Sequence, residues 1–467
     1  MKTKIVATIG PSSDNEAVLM EMMRAGLNVA RLNFSHGSHA EHQERIRKIR
    51  AAAQVTVKNV AIMLDTKGPE IRVKEIPQPI EILVGGTYRF TASECEAVDV
   101  IPITYKNIAR DVSVGSRILV DDGNLSFMVI SLEGDDVFCR AENSGIVKSR
   151  KGINIPEQEV GLPAITEKDK EDIIFGIQQR VDFIAASFVR NADHVREIKA
   201  FLQERQTDIP VIAKIESRSG IDHLEEILQV ADGIMVARGD LGVEIPLAEV
   251  PLMQKKMIRL CNYYGKPVIT ATQMLESMTQ NPRPTRAEVN DVANAIWDGT
   301  DAVMLSGESA AGKFPIAAVR TMAEIAAIVE NTLDTKEFLR IDDVDDDVTE
   351  AIGRSAVQMA SSLGAKAIVI PTNSGETARL VARFRPGVPM IATSPHQEIC
   401  RRLALTWGID CFYQPEAAGT DETVRGAMAI AKEKGYVQGG DLVMITAGSP
   451  LGYARSTNLL LAAAVEE

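Results

Sequence analysis

The sequence predicts an α/β protein built on a (β/α)8 TIM barrel, with an inserted small β-barrel-like domain and a C-terminal open α/β domain. Three observations predict it. Eight short apolar runs of strand length recur, each followed by an amphipathic helical segment. One interval between runs is far too long for a single βα unit. Beyond the eighth run, an acidic stretch precedes a further set of alternating strands and helices.

The eight runs are KIVATIG from Lys4, VARLNF from Val29, VAIMLDT from Val60, DFIAASF from Asp182, VIAKIE from Val211, GIMVARG from Gly233, PVITAT from Pro267 and AVMLSGE from Ala302. Their near-continuous apolar character suits strands buried on both faces, as in a parallel barrel. The segment TEKDKEDIIFGIQQ opens with a Thr166/Asp169 capping pattern and continues with helical spacing of apolar residues. Most strand starts lie 22 to 35 residues apart, but Val60 and Asp182 are separated by 122. The excess, roughly ninety residues, is too long for a loop and marks an insertion. From Ile71 to Ile165 its text is short β-like runs and turns (IEILVGGTYRF, SRILVDDGNLSFMVI, DDVFCRAE), expected to form a lid over the barrel mouth. The acidic stretch from Ile341 to Glu350 is a solvated boundary or a helix start. After it, AIVIPT, PMIAT, CFYQ and DLVMITAG alternate with helical segments. The expected domains are therefore the barrel at 1–70 and 167–344, the inserted lid at 71–166 and the C-terminal domain at 345–467.

Composition agrees with this plan. The 467 residues suggest about three domains, and 45% apolar with 25% charged residues is an ordinary globular balance. A formal charge of −13 argues against nucleic acid or an anionic membrane as partner, while leaving room for small anions in a cleft of opposite local field. The five cysteines (Cys95, Cys139, Cys261, Cys400, Cys411) are widely spaced and show no metal-ligand spacing, which fits a reduced, cytoplasmic chain. The start, MKTKIVATIG, enters a strand almost at once, so neither a secretory signal nor a membrane span is expected there.

In such a barrel the C-terminal strand ends carry the site. Those ends supply Arg31, Asn33 and Ser35; Asp65, Thr66 and Lys67; Lys214 and Glu216; Arg238 and Asp240; Thr272; and Ser306 with Glu308. Any one of them alone is an ordinary solvated rim residue. Together they describe a pocket that holds anions through cations. Glu216 and Asp240, on adjacent strands, form a carboxylate pair suited to Mg²⁺. Lys214 lies two residues before Glu216, on the same strand face, where its charge would oppose charge developing on a reacting oxygen. Asn33, Ser35, Asp65 and Thr66 offer hard oxygens for a second, weaker cation, or are simply hydrogen-bonded tips. The run MVARGDLGVEI poses a question of its own, because Arg238-Gly239-Asp240 reads as an adhesion tripeptide, a plain turn or a charged catalytic tip. His36, His39 and His42 are spaced by three, but no cysteine or carboxylate completes a tetrahedral set, so zinc is not expected.

The segments RLNFSHG, LDTKGPEIR, AKIES, MVARGDLGVEIP, ITATQMLESM and PRPTRAEVNDVANAIWDGTDAVMLSGESAAGKFP, with the inserted domain, resemble pyruvate kinases along essentially the whole chain. The resemblance implies phosphoryl transfer from phosphoenolpyruvate to ADP, giving pyruvate and ATP, in a cytoplasmic homotetramer that uses Mg²⁺ (or Mn²⁺) and K⁺. It places Arg31 on the substrate phosphate and Lys214 on the transferring phosphoryl group. Glu216 and Asp240 would ligate Mg²⁺, and Asn33, Ser35, Asp65 and Thr66 would ligate K⁺. The amides of Gly239 and Asp240, with Thr272, would receive the substrate carboxylate. Thr272 and Ser306 would lie near the proton route to the enolate, and Arg72 and His36 near the nucleotide. Glu70 matches the potassium-dependent members of the family.

Departures exist. Asn191 stands where many relatives have Lys, and Ser217 where Asn is frequent. The loop Thr372-Asn373-Ser374-Gly375-Glu376-Thr377, which follows a strand and opens a helix, resembles the family's effector site. There Thr372, Ser374, Gly375 and Thr377 would meet a phosphorylated ligand, and Glu376 favours one with a single phosphate. Two other classes are set beside the kinase: a Mg²⁺-dependent enolate lyase or aldolase, and a catalytically silent binding protein.

Overall fold

The computed structural model describes residues 1–93, 99–156, 158, 160–334, 338, 348–448 and 457–467; Cys95 and the acidic residues 341–347 lie outside this set. Eight parallel strands close into a barrel: β1 (Lys4–Thr8), β2 (Leu27–Asn33), β3 (Ala61–Asp65), β4 (Phe183–Ala186), β5 (Val211–Ile215), β6 (Gly233–Ala237), β7 (Val268–Ala271) and β8 (Ala302–Leu305). Closure is made by β1, which pairs with β2 on one side and with β8 on the other, Lys4 lying opposite Ala302. All eight anticipated runs are barrel strands, and β1, β3 to β8 are buried at every position.

The two-residue period of a strand decides what enters the lumen. Val6, Val29, Met63, Ala185, Ile212 and Met304 share the inner apolar cluster. Two residues further along the same strands come Thr8, Arg31, Asp65, Ser187, Lys214 and Ser306. The same pleat that packs the core therefore aims polar groups into the mouth. Leu405, from the C-terminal part of the chain, joins the inner cluster with no exposed surface.

The insertion leaves after β3 and returns before the helix Glu167–Gln178, which begins with the expected Thr166/Asp169 capping box. Its seven-stranded sheet starts at Ile71–Arg72 and ends, in spatial order, at Val100–Pro102. A bridge between Val73 and Ile103 brings those two edges together, curling the sheet into the barrel-like form the sequence suggested. Its core is separate, centred on residues such as Phe90, Phe127 and Ile118.

The helix Val348–Leu363 begins within the acidic stretch. Beyond it stands a five-stranded sheet of β9 (Ala367–Pro371), β10 (Met390–Ser394), β11 (Ile409–Tyr413), β12 (Leu442–Ala447) and β13 (Leu459–Ala464), in the order β11-β10-β9-β12-β13. Four strands are parallel. The fifth, β13, runs antiparallel at the edge and has no counterpart in the sequence reading. Its text, LLLAAA, is made of strong helix formers and is exposed or half-exposed throughout, so no alternating pattern announces it.

Candidate active site

The barrel mouth contains one buried chain of opposite charges. Arg31 Nε donates to Asp65 Oδ2 at 2.6 Å, and its Nη1 donates to Thr8 Oγ1 at 2.9 Å. Lys214 Nζ lies 3.1 Å from Asp65 Oδ1 and 2.9 Å from Glu216 Oε1, and donates to Ser187 Oγ at 2.6 Å. Glu216 Oε2 accepts from the Phe188 amide at 2.6 Å. All four charged side chains are at least nine-tenths buried. Burial alone would drive the Lys214 ammonium toward neutrality, but Asp65 and Glu216 outweigh it and push its pKa up. Burial likewise opposes the charge on Asp65, yet Arg31 and Lys214 hold its pKa below the usual carboxylate value. Glu216 differs: burial, with Asp240 nearby, outweighs Lys214 and lifts its pKa to about 7.

Asp240 does not stand at the end of a strand. The strand ends at Ala237, and Arg238–Glu244 forms a short helix, so Asp240 stands in a first helical turn rather than at a strand tip. Gly and Asp there do not make a turn because Leu241 is fully buried and anchors the segment. Asp240 reaches solvent through the cleft it lines, yet crowding by the surrounding protein, opposed by Lys214 and reinforced by Asp122, Glu70 and Asp65, raises its pKa. Arg238 is engaged within the protein. Its guanidinium donates to the carbonyl oxygens of Ala271 and Thr272, at 3.1 and 2.7 Å, while paired to Asp291 at 2.7 Å. It braces an unusual loop. Thr272 has φ +67° and Gln273 φ +55°, a left-handed conformation that costs a β-branched residue on the order of 1–3 kcal/mol and tends to persist at functional sites. The brace brings Thr272 Oγ1 to within 2.7 Å of the Gly239 amide, whose proton it accepts.

Ser306 stands at the end of β8. Its amide donates to Glu308 Oε2 at 2.7 Å, while its buried hydroxyl has no hydrogen-bond partner among the described residues. Glu308 is fully buried and also accepts from the Leu275 amide, so it organises two loops rather than facing a ligand. Asn33 Oδ1 accepts from the Ser35 amide at 3.1 Å. Thr66 Oγ1 accepts from the Ser187 amide at 3.2 Å, and the Thr66 carbonyl oxygen accepts from Ser187 Oγ at 2.7 Å. Ser187 and Thr8 were missed in the sequence, although each lies two residues beyond an inward apolar residue.

A cleft of about 470 Å³ opens between this mouth and the insertion, lined by Glu70, Arg72, Asp122, Arg190, Asp240 and Glu244 among others. Arg72 is paired with Glu70 and donates to the Arg150 carbonyl oxygen of the insertion at 2.7 Å. Asn154 of the insertion donates to Glu244 at 2.8 Å, tying the lid to the short helix that carries Asp240. His36 is exposed on the turn after β2 and does not line the cleft. Its carbonyl oxygen meets His42 Nε2 at 2.9 Å, while His39 pairs with Asp172 at 2.7 Å. Asn191 caps the helix Ala192–Gln203 through the His194 amide, and Ser217 caps Arg218–Asp222. Both departures from the family pattern therefore serve as helix starts. Among the described residues no three His, Cys, Asp or Glu side chains form a metal set.

The loop at 372–377 lies in a second cleft of about 1270 Å³ between the N-terminal ends of the barrel strands and the C-terminal sheet. Thr372, Ser374 and Thr377 line it, with Lys266, Arg379 and Arg402. Gly375 has φ +80°, and its amide donates to Thr372 Oγ1 at 3.0 Å; Ser374 Oγ accepts from the Glu376 amide at 3.3 Å.

A closed parallel barrel with buried cations at its C-terminal mouth and an inserted lid above defines an α/β-barrel enzyme acting on an anionic substrate. A family model for the barrel domain of pyruvate kinase matches residues 1–319, and a model for the pyruvate kinase alpha/beta domain matches residues 350–461. The chain is 51% identical over 466 residues to pyruvate kinase of Geobacillus stearothermophilus, covering 98% of this chain and 79% of the relative. It is 50% identical over 465 residues to that of Staphylococcus aureus (strain MRSA252), and 50% over 466 to that of Bacillus licheniformis; each alignment covers 98% of this chain and 80% of the relative. The chain belongs to the pyruvate kinase family. It is a glycolytic phosphotransferase that moves the phosphoryl group of phosphoenolpyruvate to ADP.

Proposed function

We propose that this transfer takes place at the barrel mouth, with Arg31 and Lys214 holding the phosphoryl group between phosphoenolpyruvate and ADP. The observation that carries the reading is the buried Arg31–Asp65–Lys214–Glu216 chain, which fixes two cations where a phosphoryl group would approach. Phosphoryl transfer asks a protein for positioning and charge neutralisation more than covalent chemistry. Because Asp65 and Glu216 keep Lys214 protonated, its charge is in place before the transferring oxygens develop theirs. The Gly239 and Asp240 amides with Thr272 receive the substrate carboxylate; Gly239 N–H and Thr272 Oγ1 already converge. Ser306, whose buried hydroxyl has no partner among the described residues, and Thr272 hold the proton route to carbon three of the enolate. Arg72 and His36 serve the nucleotide. Arg72 has the better support, since it lines the cleft and His36 does not.

The donor chemistry of Glu216 and Asp240 fits Mg²⁺ or Mn²⁺: both are carboxylates, and each stands where burial, only partly offset by Lys214, opposes its charge, so a bound cation would relieve both. Two protein carboxylates leave the remaining positions to water and phosphate oxygens, as Mg²⁺ commonly requires. Asp65, Asn33, Ser35 and Thr66 supply one carboxylate and neutral oxygens, a set that fits K⁺. When bound, these ions neutralise the charge of the two anionic substrates. We further assign the protein to the cytoplasm as a homotetramer, with Thr372, Ser374, Gly375 and Thr377 meeting a phosphorylated effector. No described helix is long and apolar enough to cross a membrane.

A coupled assay for pyruvate formation from phosphoenolpyruvate, with and without ADP in K⁺ buffer, tests the reading. Turnover that depends on ADP is expected. Pyruvate released equally without ADP would favour the lyase, and no turnover the silent binding protein. A screen of sugar monophosphates, AMP and fructose 1,6-bisphosphate tests the effector loop; activation by the bisphosphate alone would overturn the charge argument drawn from Glu376.

A further inference from the structure

Asp169 holds more of the chain than a helix start requires. A capping box uses one carboxylate oxygen, and here Oδ2 fills that role, accepting from the Thr166 amide at 2.9 Å and from Thr166 Oγ1 at 2.6 Å. The other oxygen, Oδ1, accepts from the Gly68 amide at 3.0 Å. Gly68 lies on the segment that leaves the barrel for the insertion, and Thr166 on the segment that returns. One fully buried carboxylate thus ties both linkers of the lid at the same point.

The tie continues into the catalytic mouth. Gly68 has φ +73°, and a Cβ placed there would lie 2.7 Å from Ser187 Cβ and 2.9 Å from the Phe188 ring. Only a residue without a side chain lets the outgoing linker lie on Ser187 and Phe188. Those two residues hold the phosphoryl-transfer cation and its partner: Ser187 Oγ accepts from Lys214, and the Phe188 amide donates to Glu216. Phe188 itself sits at φ +55°, so its amide direction depends on what packs against it.

We infer that Asp169 is a positioning residue, a pin at which the two lid linkers, Gly68 and the Ser187–Phe188 pair meet, so that lid attitude and the placement of Lys214 and Glu216 are set together. The inference rests on the assignment of Lys214 and Glu216 to the reaction. It requires neither residue 169 nor residue 68 to touch a substrate.

The test compares Asp169→Asn with Thr166→Val. Asn offers a single acceptor oxygen and cannot satisfy both linkers, whereas Thr166→Val weakens the cap and leaves the Gly68 bond in place. Steady-state kinetics and hydrogen exchange are measured on both full-length variants. Expected for Asp169→Asn is a kcat lowered about tenfold or more, since an ångström of misplacement costs on the order of a hundredfold. KM for ADP should rise, and KM for phosphoenolpyruvate should stay near that of the unmodified protein. Faster exchange is expected at residues 66–70 and 187–188 as well as 164–168. Thr166→Val should show faster exchange at 164–168 only, with ordinary kinetics. Equal kinetics in the two variants would reduce Asp169 to a helix cap and overturn the inference. If Asp169→Asn does not accumulate folded, Gly68→Ala carries the test from the other end of the contact: it should show the same split, and ordinary kinetics in the folded variant would overturn the pin. Lys214→Met, assayed in parallel, tests the underlying assignment separately. Near-normal turnover in that variant would refute the role of Lys214 whatever Asp169 does.

Discussion

Ser187 Oγ accepts a hydrogen bond from Lys214 Nζ at 2.6 Å and donates its own proton to the Thr66 carbonyl oxygen at 2.7 Å. The hydroxyl therefore orients an ammonium that two carboxylates already hold. Ser187→Ala removes the orienting acceptor without removing the charge, so turnover should fall roughly tenfold, the equivalent of about 1.4 kcal/mol. Lys214→Met removes the charge and should cost at least ~10²-fold, with substrate binding largely kept. Steady-state rates of both variants give the comparison. A Ser187→Ala rate equal to that of the unmodified protein would make Ser187 packing alone.

Asp240 is exposed on its short helix, and the apolar anchor of that helix is Leu241. Asp240→Ala should leave stability within about 0.5 kcal/mol, as for most surface changes, while abolishing Mg²⁺-dependent turnover. Thermal melts by circular dichroism, together with Mg²⁺ titration of activity, check both halves. An unfolded variant would return Arg238-Gly239-Asp240 to a structural role.

Glu70 is placed between Lys67 at 3.7 Å and Arg72, which it pairs directly. Its charge is thus partly balanced within the protein, a detail invisible in the sequence. Turnover should require K⁺ and drop when tetramethylammonium replaces it at constant ionic strength. Glu70→Lys should weaken that requirement but also lower turnover, since it sets three cations side by side and releases Arg72. Rate against KCl for both proteins is the measurement. Identical rates of the unmodified protein in the two salts would remove the monovalent cation from the mechanism.

His194 is half-buried beside Arg190, and burial first, then that guanidinium, lowers its pKa to about 4 from the ordinary 6.5. Below pH ~6.5 the unfolded chain binds a proton that the folded chain refuses until about pH 4. Stability is therefore complete above pH ~6.5 and declines as pH falls through that window. Melting temperature followed from pH 7 to 4.5 should fall less steeply in His194→Gln. Parallel curves would show that the imidazole does not titrate as described.

The barrel was legible because near-continuous apolar runs of strand length recur at a βα interval, each followed by an amphipathic helical segment. Lys214 and Glu216 were legible as the charged exceptions in one of these runs. Ser187 and Thr8 were not, since a hydroxyl at a strand end carries no signal until the inward phase of Ala185 and Val6 is known. The position of Asp240 was not legible because the apolar run ending at Ala237 reads straight on as a strand tip, whereas burial of Leu241 winds the next residues into a helix. The role of Arg238 depended on a contact across 33 residues with the left-handed Thr272 loop, and no local pattern encodes that distance. The strand β13 failed on composition, its Leu and Ala residues carrying helix propensity that tertiary pairing with β12 overrides.

The pairing of Lys4 with Ala302 also has a consequence for biosynthesis. The first strand leaves the ribosome long before the strand that completes its ladder has been translated. At ~5–20 residues per second the wait is about 15 to 60 seconds. During it β1 has only β2 beside it, and its other edge is open to any passing strand. The insertion has no such wait, because its seven-stranded sheet draws on nearby segments alone. Nascent chains stalled short of residue 302 should therefore be cut by protease within residues 1–65 and resist it across 71–154. Synthesis would then deliver a finished lid on an unfinished vessel, with holdase chaperones needed at the open edge of β1.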